Sequence, residues 1–272
     1  MPPTKADIFE PHVTLDAEQR EVLQRRRIKK HDTAVILLHW FNAAIWLLEL
    51  STGGALLAGP GYRIAPDWWR EFMIAVFGSP AMILKVHITA GVLWTAVLLV
   101  YGIFGFRKYF LRTVTRYLIP DRDDFLWLKN RLLLILGKKV SLPPQGIYNG
   151  GQKLYGIAVY LGGAAIIVSG FIMAHHLGPT WLVRWAILLH FLAVGAVFAG
   201  LFIHVYMGAV LPEERPAFFS MFSGNVPELY AYRHHYKWWR EHKEIEIAWH
   251  EELQREVEQE RAAKESQEEA DR

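Results

Sequence analysis

Long apolar stretches alternate with charged segments along this chain. Four of the stretches are long enough to cross a hydrocarbon layer of about 30 Å, which takes roughly 20 helical residues. They lie at approximately residues 34–58, 82–105, 154–176 and 185–210. Because a backbone in lipid must pair its own amides and carbonyls, each stretch should be an α-helix. The sequence therefore predicts an all-α membrane protein, a four-transmembrane-helix bundle.

The charged segments predict the domain organisation and the orientation. Residues 1–32 form an N-terminal arm, residues 33–210 form the transmembrane domain with its loop at 106–153, and residues 211–272 form a C-terminal tail. The arm holds seven Lys and Arg residues and the 106–153 loop holds ten, whereas the other two loops hold two and one. Since cytoplasmic loops collect positive charge, both termini and the 106–153 loop should face the cytoplasm.

Two of the polar segments also carry apolar residues. In the 106–153 loop, the apolar run at 125–128 lies among basic residues, which fits either an amphipathic helix on the inner membrane surface or packing under the bundle. The tail after Arg240 is dense in Glu, Lys, Arg and Gln, and we expect a solvated helix that frays towards Arg272. Surface roles are expected for the histidines of the tail, which are His234, His235, His242 and His250.

The amino-acid composition excludes several kinds of functional site. The chain has no cysteine, which excludes disulfides, thiolate iron–sulfur sites, thiol nucleophiles and covalent c-type haem attachment. Any metal must therefore be held by nitrogen or oxygen. The formal net charge of +3 is typical of a membrane protein with basic cytoplasmic loops, so it gives no reason to expect a nucleic-acid partner.

Four histidines lie inside the predicted spans, and their depths match in pairs. His190 and His204 are fourteen residues apart on the fourth helix, which places them within about 40° of one face and about 21 Å apart along the axis. The first helix enters from the cytoplasm and reaches His39 at the depth of His204. The second helix enters from outside and reaches His87 at the depth of His190. An ionisable residue inside a span is a functional hypothesis by default.

Two imidazoles that face each other across a bundle are what a low-spin b-type haem needs, because they fill both axial positions of the iron. The predicted ligand pairs are His39 with His204 on the inner side and His87 with His190 on the outer side. Small residues near these positions could admit a flat macrocycle, or could be ordinary helix packing. A divalent-cation transporter would need ligands at one depth with carboxylates beside them, and Glu49 is the main acidic residue inside a span.

At these residues the chain resembles the cytochrome b, or gamma, subunit of membrane-bound respiratory formate dehydrogenases. The resemblance covers roughly residues 25–242. It is carried by several short motifs, which are His39-Trp40, His87, the run Tyr148-Asn149-Gly150-Gly151-Gln152-Lys153, Ser169-Gly170, the His190/His204 spacing, and the tail segment from Gly224-Asn225-Val226 through His234-His235 to Trp238-Trp239-Arg240-Glu241. The long arm, the loop between the first two helices and the extended tail depart from the family's pattern.

The resemblance implies an electron-transfer subunit with two haem b groups in the cytoplasmic (inner) membrane of a bacterium. It also implies a quinone, menaquinone or ubiquinone, bound beside His204 by Asn149, Gly151 and Gln152. From the residues alone, that run is a turn before a helix with free amides that could reach a quinone carbonyl, and a plain loop-to-helix junction would look similar. An iron–sulfur subunit and a molybdenum- or tungsten-dependent catalytic subunit would dock on the outer side.

Under this interpretation, electrons enter at the His87/His190 haem, cross to the His39/His204 haem and reduce a quinone that takes protons from the cytoplasm. The cytochrome b subunits of nickel–iron hydrogenases and of thiosulfate or polysulfide reductases share the two-haem pattern, so they stay as alternatives. From other classes, a haem-free transporter that uses these histidines and a structural membrane anchor also stay open.

Overall fold

The computed structural model describes residues 15–58, 64–242 and 246–270. Its elements follow the chain in the order α1 (Ala17–Arg25), β1 (Arg27–Lys29), α2 (Thr33–Leu57), α3 (Asp67–Phe77), α4 (Pro80–Phe104), π-helical segments at Phe106–Leu111 and Thr113–Leu118, α5 (Arg122–Ile135), α6 (Gly150–Ala174), α7 (Thr180–Val205), a π-helical turn at Tyr206–Val210, a 3₁₀ turn at Pro212–Glu214, α8 (Arg215–Ser223), β2 (Asn225–Pro227), α9 (Glu228–His234), α10 (Tyr236–His242) and α11 (Glu246–Ala270).

Among the described residues, four helical segments are long and apolar enough to cross a membrane, namely Thr33–Leu57, Pro80–Phe104, Gly150–Ala174 and Thr180–Val210. The predicted all-α membrane fold with four spans is confirmed. The third span begins at residue 150 rather than 154, and the fourth at 180 rather than 185. For the third span the reason is visible: its helix begins directly after the polar capping residue Asn149 and not at the first strongly apolar position.

The described residues form two compact units. The membrane unit consists of the described residues within Thr33–Thr113 and Ile157–Ile203. The polar unit consists of the described residues up to Asp32, the segment Val114–Gly156, and the described residues from His204 onwards.

In the membrane unit, α2 packs along α4. A buried polar contact joins these two helices, because the indole Nε1 of Trp94 donates a hydrogen bond to Oδ1 of Asn42 at 2.6 Å. The short helix α3 packs against both of them, with Met73 in a buried cluster beside Ala55 and Ile83. These contacts fix the relative positions of the α2 and α4 side chains that form the site described below.

In the polar unit, a short antiparallel pairing connects two segments that are almost 200 residues apart in sequence. Strand β1 pairs with β2, with Ile28 opposite Val226. Around this pairing lies a core whose most buried members are Leu23, Val226, Tyr232, Trp239 and Leu253. The arm and the tail therefore share one hydrophobic core.

The tail is helical and largely exposed, as expected, but one face of its last helix is packed and not solvated. Helix α11 continues to Ala270, and it packs on α1. Leu253 is 0% exposed and Val257 is 7% exposed. These two positions are four residues apart, so they lie on one face of the helix and bury together. Arg26 also pairs with Glu256 across this contact.

The 106–153 loop combines features of both interpretations that the sequence left open. Leu118 and Trp127 are buried in the polar unit, so part of this segment packs against the protein. By contrast, Phe125 is 63% exposed and Ile135 is 75% exposed. Helix α5 therefore buries one side and leaves apolar side chains on another, as expected for a helix that can also lie against lipid.

Candidate haem site

The membrane unit brings His87 of α4 and His190 of α7 together. Their ring centroids are 6.4 Å apart, and the ring planes are inclined by 70°. The two residues are more than 100 positions apart in sequence, and they are the pair predicted from matching depths. Both rings are partly buried.

Each ring has its Nδ1 atom engaged by hydrogen-bonding groups. Nδ1 of His87 lies 2.6 Å from Oε2 of Glu49 and 2.9 Å from Oγ1 of Thr52. Nδ1 of His190 lies 3.0 Å from Oγ of Ser169 and 3.2 Å from the carbonyl oxygen of Ile166. A carboxylate or carbonyl partner accepts a hydrogen bond, so Nδ1 carries the proton in both rings. The Nε2 lone pair of each ring is then available for a metal.

This geometry fits an iron held between two imidazoles. A metal–nitrogen bond to histidine is about 2 Å long, so two rings on opposite sides of one metal have centroids about 6 Å apart. The observed separation of 6.4 Å agrees with that value. Metal-binding histidines also characteristically donate their second ring N–H to a carboxylate or backbone carbonyl, as both rings do here.

Glycines let both rings lie close to a neighbouring helix. A Cβ atom on Gly53 would stand 3.3 Å from Cε1 of His87, and one on Gly170 would stand 3.5 Å from Cε1 of His190. The first distance is tight, so a larger residue at Gly53 would press on the His87 ring, whereas the second is an ordinary van der Waals contact. Gly53 thus serves ring placement, and Gly170 is compatible with ordinary helix packing.

The other two predicted ligands belong to different units. His39, in the membrane unit, packs edge-to-face on Trp40 at a centroid distance of 5.2 Å. His204, in the polar unit, is exposed and stacks on the ring of Tyr155 at 5.3 Å, with the ring planes inclined by 27°. The pairing of His39 with His204 stays a prediction from sequence depth.

The predicted quinone-binding run forms the N-terminal cap of α6. Oδ1 of Asn149 accepts a hydrogen bond from the backbone N–H of Gln152 at 2.9 Å, and Oε1 of Gln152 accepts one from the N–H of Asn149 at 3.0 Å. The N–H of Gly150 is bound by Oε1 of Gln145. A Cβ on Gly151 would stand 3.1 Å from the ring of Trp127. The backbone N–H groups of Asn149 and Gln152 are therefore not free, since a reciprocal capping box uses them.

The family model for prokaryotic cytochrome b561 matches residues 30–224 of this chain. The chain belongs to that family. Three relatives illustrate the similarity. The first is the formate dehydrogenase cytochrome b556 subunit of Haemophilus influenzae, 25% identical over 225 residues, which are 81% of this chain and 86% of that protein.

The other two relatives are from Escherichia coli K12. The formate dehydrogenase cytochrome b556(fdo) subunit is 25% identical over 224 residues, with 79% of this chain and 95% of that protein covered. The nitrate-inducible formate dehydrogenase cytochrome b556(Fdn) subunit is 26% identical over 181 residues, with 65% and 77% covered.

In this cytochrome b561 family member, a small cavity with a mixed polar and apolar lining lies beside the α6 cap. Its volume is about 40 Å³, and its lining includes Gln145, Asn149, Glu214, Arg233 and His234. A cavity of this size has room for water, which requires about 10–15 Å³ and polar partners. Asn149 therefore lines a pocket that also presents a carboxylate, an imidazole and a guanidinium.

The cavity adjoins two ionisable groups that the sequence does not single out, Glu214 and Tyr230. His234, for which the sequence predicts a surface role, lies beside them with its side chain only 18% exposed. The hydroxyl of Tyr230 donates to Oε2 of Glu214 at 2.6 Å, and His234 lies 3.7 Å from the same carboxyl group. Burial alone would raise the pKa of Glu214, but His234 and the Tyr230 hydrogen bond outweigh it and lower the pKa to about 2. The carboxylate is therefore ionised at neutral pH.

The expected surface role of His235 is wrong, because its side chain is 1% exposed. Nε2 lies 2.9 Å from Nζ of Lys30, and Nδ1 lies 2.7 Å from the carbonyl oxygen of Gly146. Burial and the charge of Lys30 lower the pKa of His235, so the neutral ring donates from Nδ1 and accepts from Lys30. Burial also lowers the pKa of Lys30 to about 8. The side chains of His242 and His250 lie outside the described residues.

Proposed function

We propose that this chain is the membrane cytochrome b subunit of a formate dehydrogenase, which passes electrons through two b haems to a quinone. The observation that carries the proposal is the His87/His190 pair, in which the ring separation suits one iron and both Nδ1 atoms are anchored by acceptors. The three relatives are all formate dehydrogenase cytochrome b556 subunits, which supports the choice of enzyme.

At the outer site, His87 and His190 would hold the haem iron through their Nε2 atoms. A bound haem would supply one-electron transfer, and with both imidazoles as its ligands it would not bind oxygen. The hydrogen bonds to Nδ1 keep each ring in the tautomer and orientation that ligation needs. These side chains thus contribute ligation and orientation, and none of them transfers a proton to a substrate.

At the inner site, sequence depth assigns a second haem to His39 and His204, and the resemblance assigns a quinone to Asn149, Gly151 and Gln152. The cavity beside Asn149 supports this assignment, because quinone reduction consumes protons and the cavity has room for a water that could deliver them. The backbone N–H groups of Asn149, Gly150 and Gln152 already donate within the cap. We therefore assign the hydrogen bonds to a quinone carbonyl to the side-chain NH₂ groups of Asn149 and Gln152.

The proposed complex includes an iron–sulfur subunit and a molybdenum- or tungsten-dependent catalytic subunit on the outer side of a bacterial cytoplasmic membrane, with both termini of this chain in the cytoplasm. Moving one charge against the membrane potential stores about 2.3 kcal/mol per 100 mV. Formate should reduce the haems in the purified complex. Reduction by hydrogen and not by formate would favour the hydrogenase alternative.

Haem stoichiometry tests the proposal directly. A pyridine haemochrome assay on the purified chain should give two b haems, and His190→Ala should leave one because the outer haem has lost a ligand. His175→Ala is the matched control, since His175 is an exposed histidine just after α6, and it should keep both haems. A value of zero in the unmodified chain would reject the cytochrome function and favour a transporter or an anchor. A value near one would leave only one haem site.

A further inference from the structure

The two rings of the outer site differ in the charge of their partners. His190 is held by neutral groups, the hydroxyl of Ser169 and the carbonyl of Ile166. His87 is held by the hydroxyl of Thr52 and, more closely, by the carboxyl group of Glu49 at 2.6 Å. Glu49 lies within the membrane-spanning helix α2 with its side chain 19% exposed. An acidic residue at such a position is costly and implies a function.

The hydroxyl groups on the two sides are equivalent. Oγ1 of Thr52 donates to the carbonyl of Leu48 at 2.8 Å, and Oγ of Ser169 donates to the carbonyl of Ala165 at 2.5 Å. Each hydroxyl has therefore used its proton within its own helix, and it can only accept from the imidazole. The carboxylate is thus the main chemical difference between the two rings.

We propose that Glu49 is a positioning residue that sets the reduction potential of the haem held by His87 and His190. This inference rests on the proposed haem function. A carboxylate that accepts the Nδ1 proton makes the imidazole a more basic ligand. A more basic ligand stabilises the ferric state, which carries one more positive charge than the ferrous state. Glu49 therefore lowers the potential of the outer haem.

A lower potential on the outer side has a clear use in the proposed electron path. Electrons that travel inward move against the membrane potential, which opposes them by about 2.3 kcal/mol per 100 mV. An outer site that gives up its electron more readily offsets part of this cost. The charge on Glu49 thus favours transfer to the inner side.

The test is a redox titration of the purified full-length chain, followed by visible absorption of the two haems. In Glu49→Gln, which keeps the shape and removes the charge, both haems should remain. The equilibrium constant for reducing the outer haem should rise at least tenfold, which is 59 mV for one electron. Thr52→Val is the matched control: it removes the neutral partner at the same nitrogen, and it should change that constant less than threefold.

The outcomes separate this inference from the function on which it rests. Absence of haem in the unmodified chain would reject the proposed function. Two haems with unchanged potentials in Glu49→Gln would overturn the role of Glu49 and leave the function intact. If Glu49→Gln loses the outer haem, Glu49→Asp decides, because it keeps the carboxylate. Retention of the outer haem at low potential in Glu49→Asp supports the inference. Loss of the outer haem in both variants shows that side-chain size matters and overturns the inference.

Discussion

The membrane unit and the polar unit are stabilised in opposite ways. In each of the four spans, only 6% to 17% of the most apolar window is buried inside the protein, so most of the apolar surface needs lipid to cover it. The polar unit instead encloses its own core, in which Trp239 and Leu253 are fully buried. The comparison shows that the proposed haem ligands of the outer site are held in a lipid-dependent scaffold, whereas the residues around the α6 cap are held in an independent hydrophobic core.

The largest expected effect comes from opening the core of the polar unit. Trp239 is 0% exposed, contacts the ring of Tyr232 at 4.8 Å, and donates to Oε1 of the buried Glu228 at 3.1 Å. Trp239→Ala should destabilise this unit by about 3–5 kcal/mol, the usual cost of such a cavity. Denaturant unfolding and limited proteolysis in detergent would measure the loss.

If the two units are stabilised independently, Trp239→Ala should keep the haem absorption that His190→Ala removes. Trp181→Ala is the control, because Trp181 is 63% exposed and its loss should leave the unfolding of the polar unit unchanged. Loss of the outer haem in Trp239→Ala would contradict the separation of the two units.

Acid should also destabilise the polar unit, through Glu214. The pKa of this carboxyl group falls from an ordinary value of 4.5 to about 2 in the folded protein. Its stabilising effect is therefore complete above pH 4.5 and is lost as the pH falls towards 2, a total of about 3 kcal/mol. Proteolysis rates of the polar unit between pH 7 and pH 3 would follow this change.

Glu214→Gln should be less stable at pH 7 and should lose much of this dependence on acid. Glu213→Gln is the neighbouring control, because it removes the same charge one residue away and leaves the contacts of Glu214 with Tyr230 and His234 in place. An unchanged acid profile in Glu214→Gln would show that other carboxyl groups account for the sensitivity.

The sequence predicts the membrane unit better than the polar unit, for physical reasons. Hydropathy identifies the four spans, and helical rise places His87 level with His190. Neither signal reports which residue lies beside a ring, so the sequence identifies Glu49 as an acidic residue within a span but does not identify His87 as its partner. In the polar unit, the pairing of Ile28 with Val226 joins distant segments, and no local pattern encodes it. The burial of His235 depends on that assembly. The charged composition of the tail, taken alone, favours a surface position for it.

The smallest effect on stability is expected at the α6 cap. Variants of Asn149 test whether this part of the polar unit has a function beyond its fold. Asn149→Ala removes the capping oxygen and should cost about 1 kcal/mol of stability. Both haems should remain, while electron transfer to quinone falls about tenfold, the scale of one lost hydrogen bond. Asn149→Asp separates the two roles, because its carboxylate still caps the helix but offers no N–H donor. Slow quinone reduction in both variants supports contact with the quinone. Normal rates in Asn149→Asp would restrict Asn149 to helix capping.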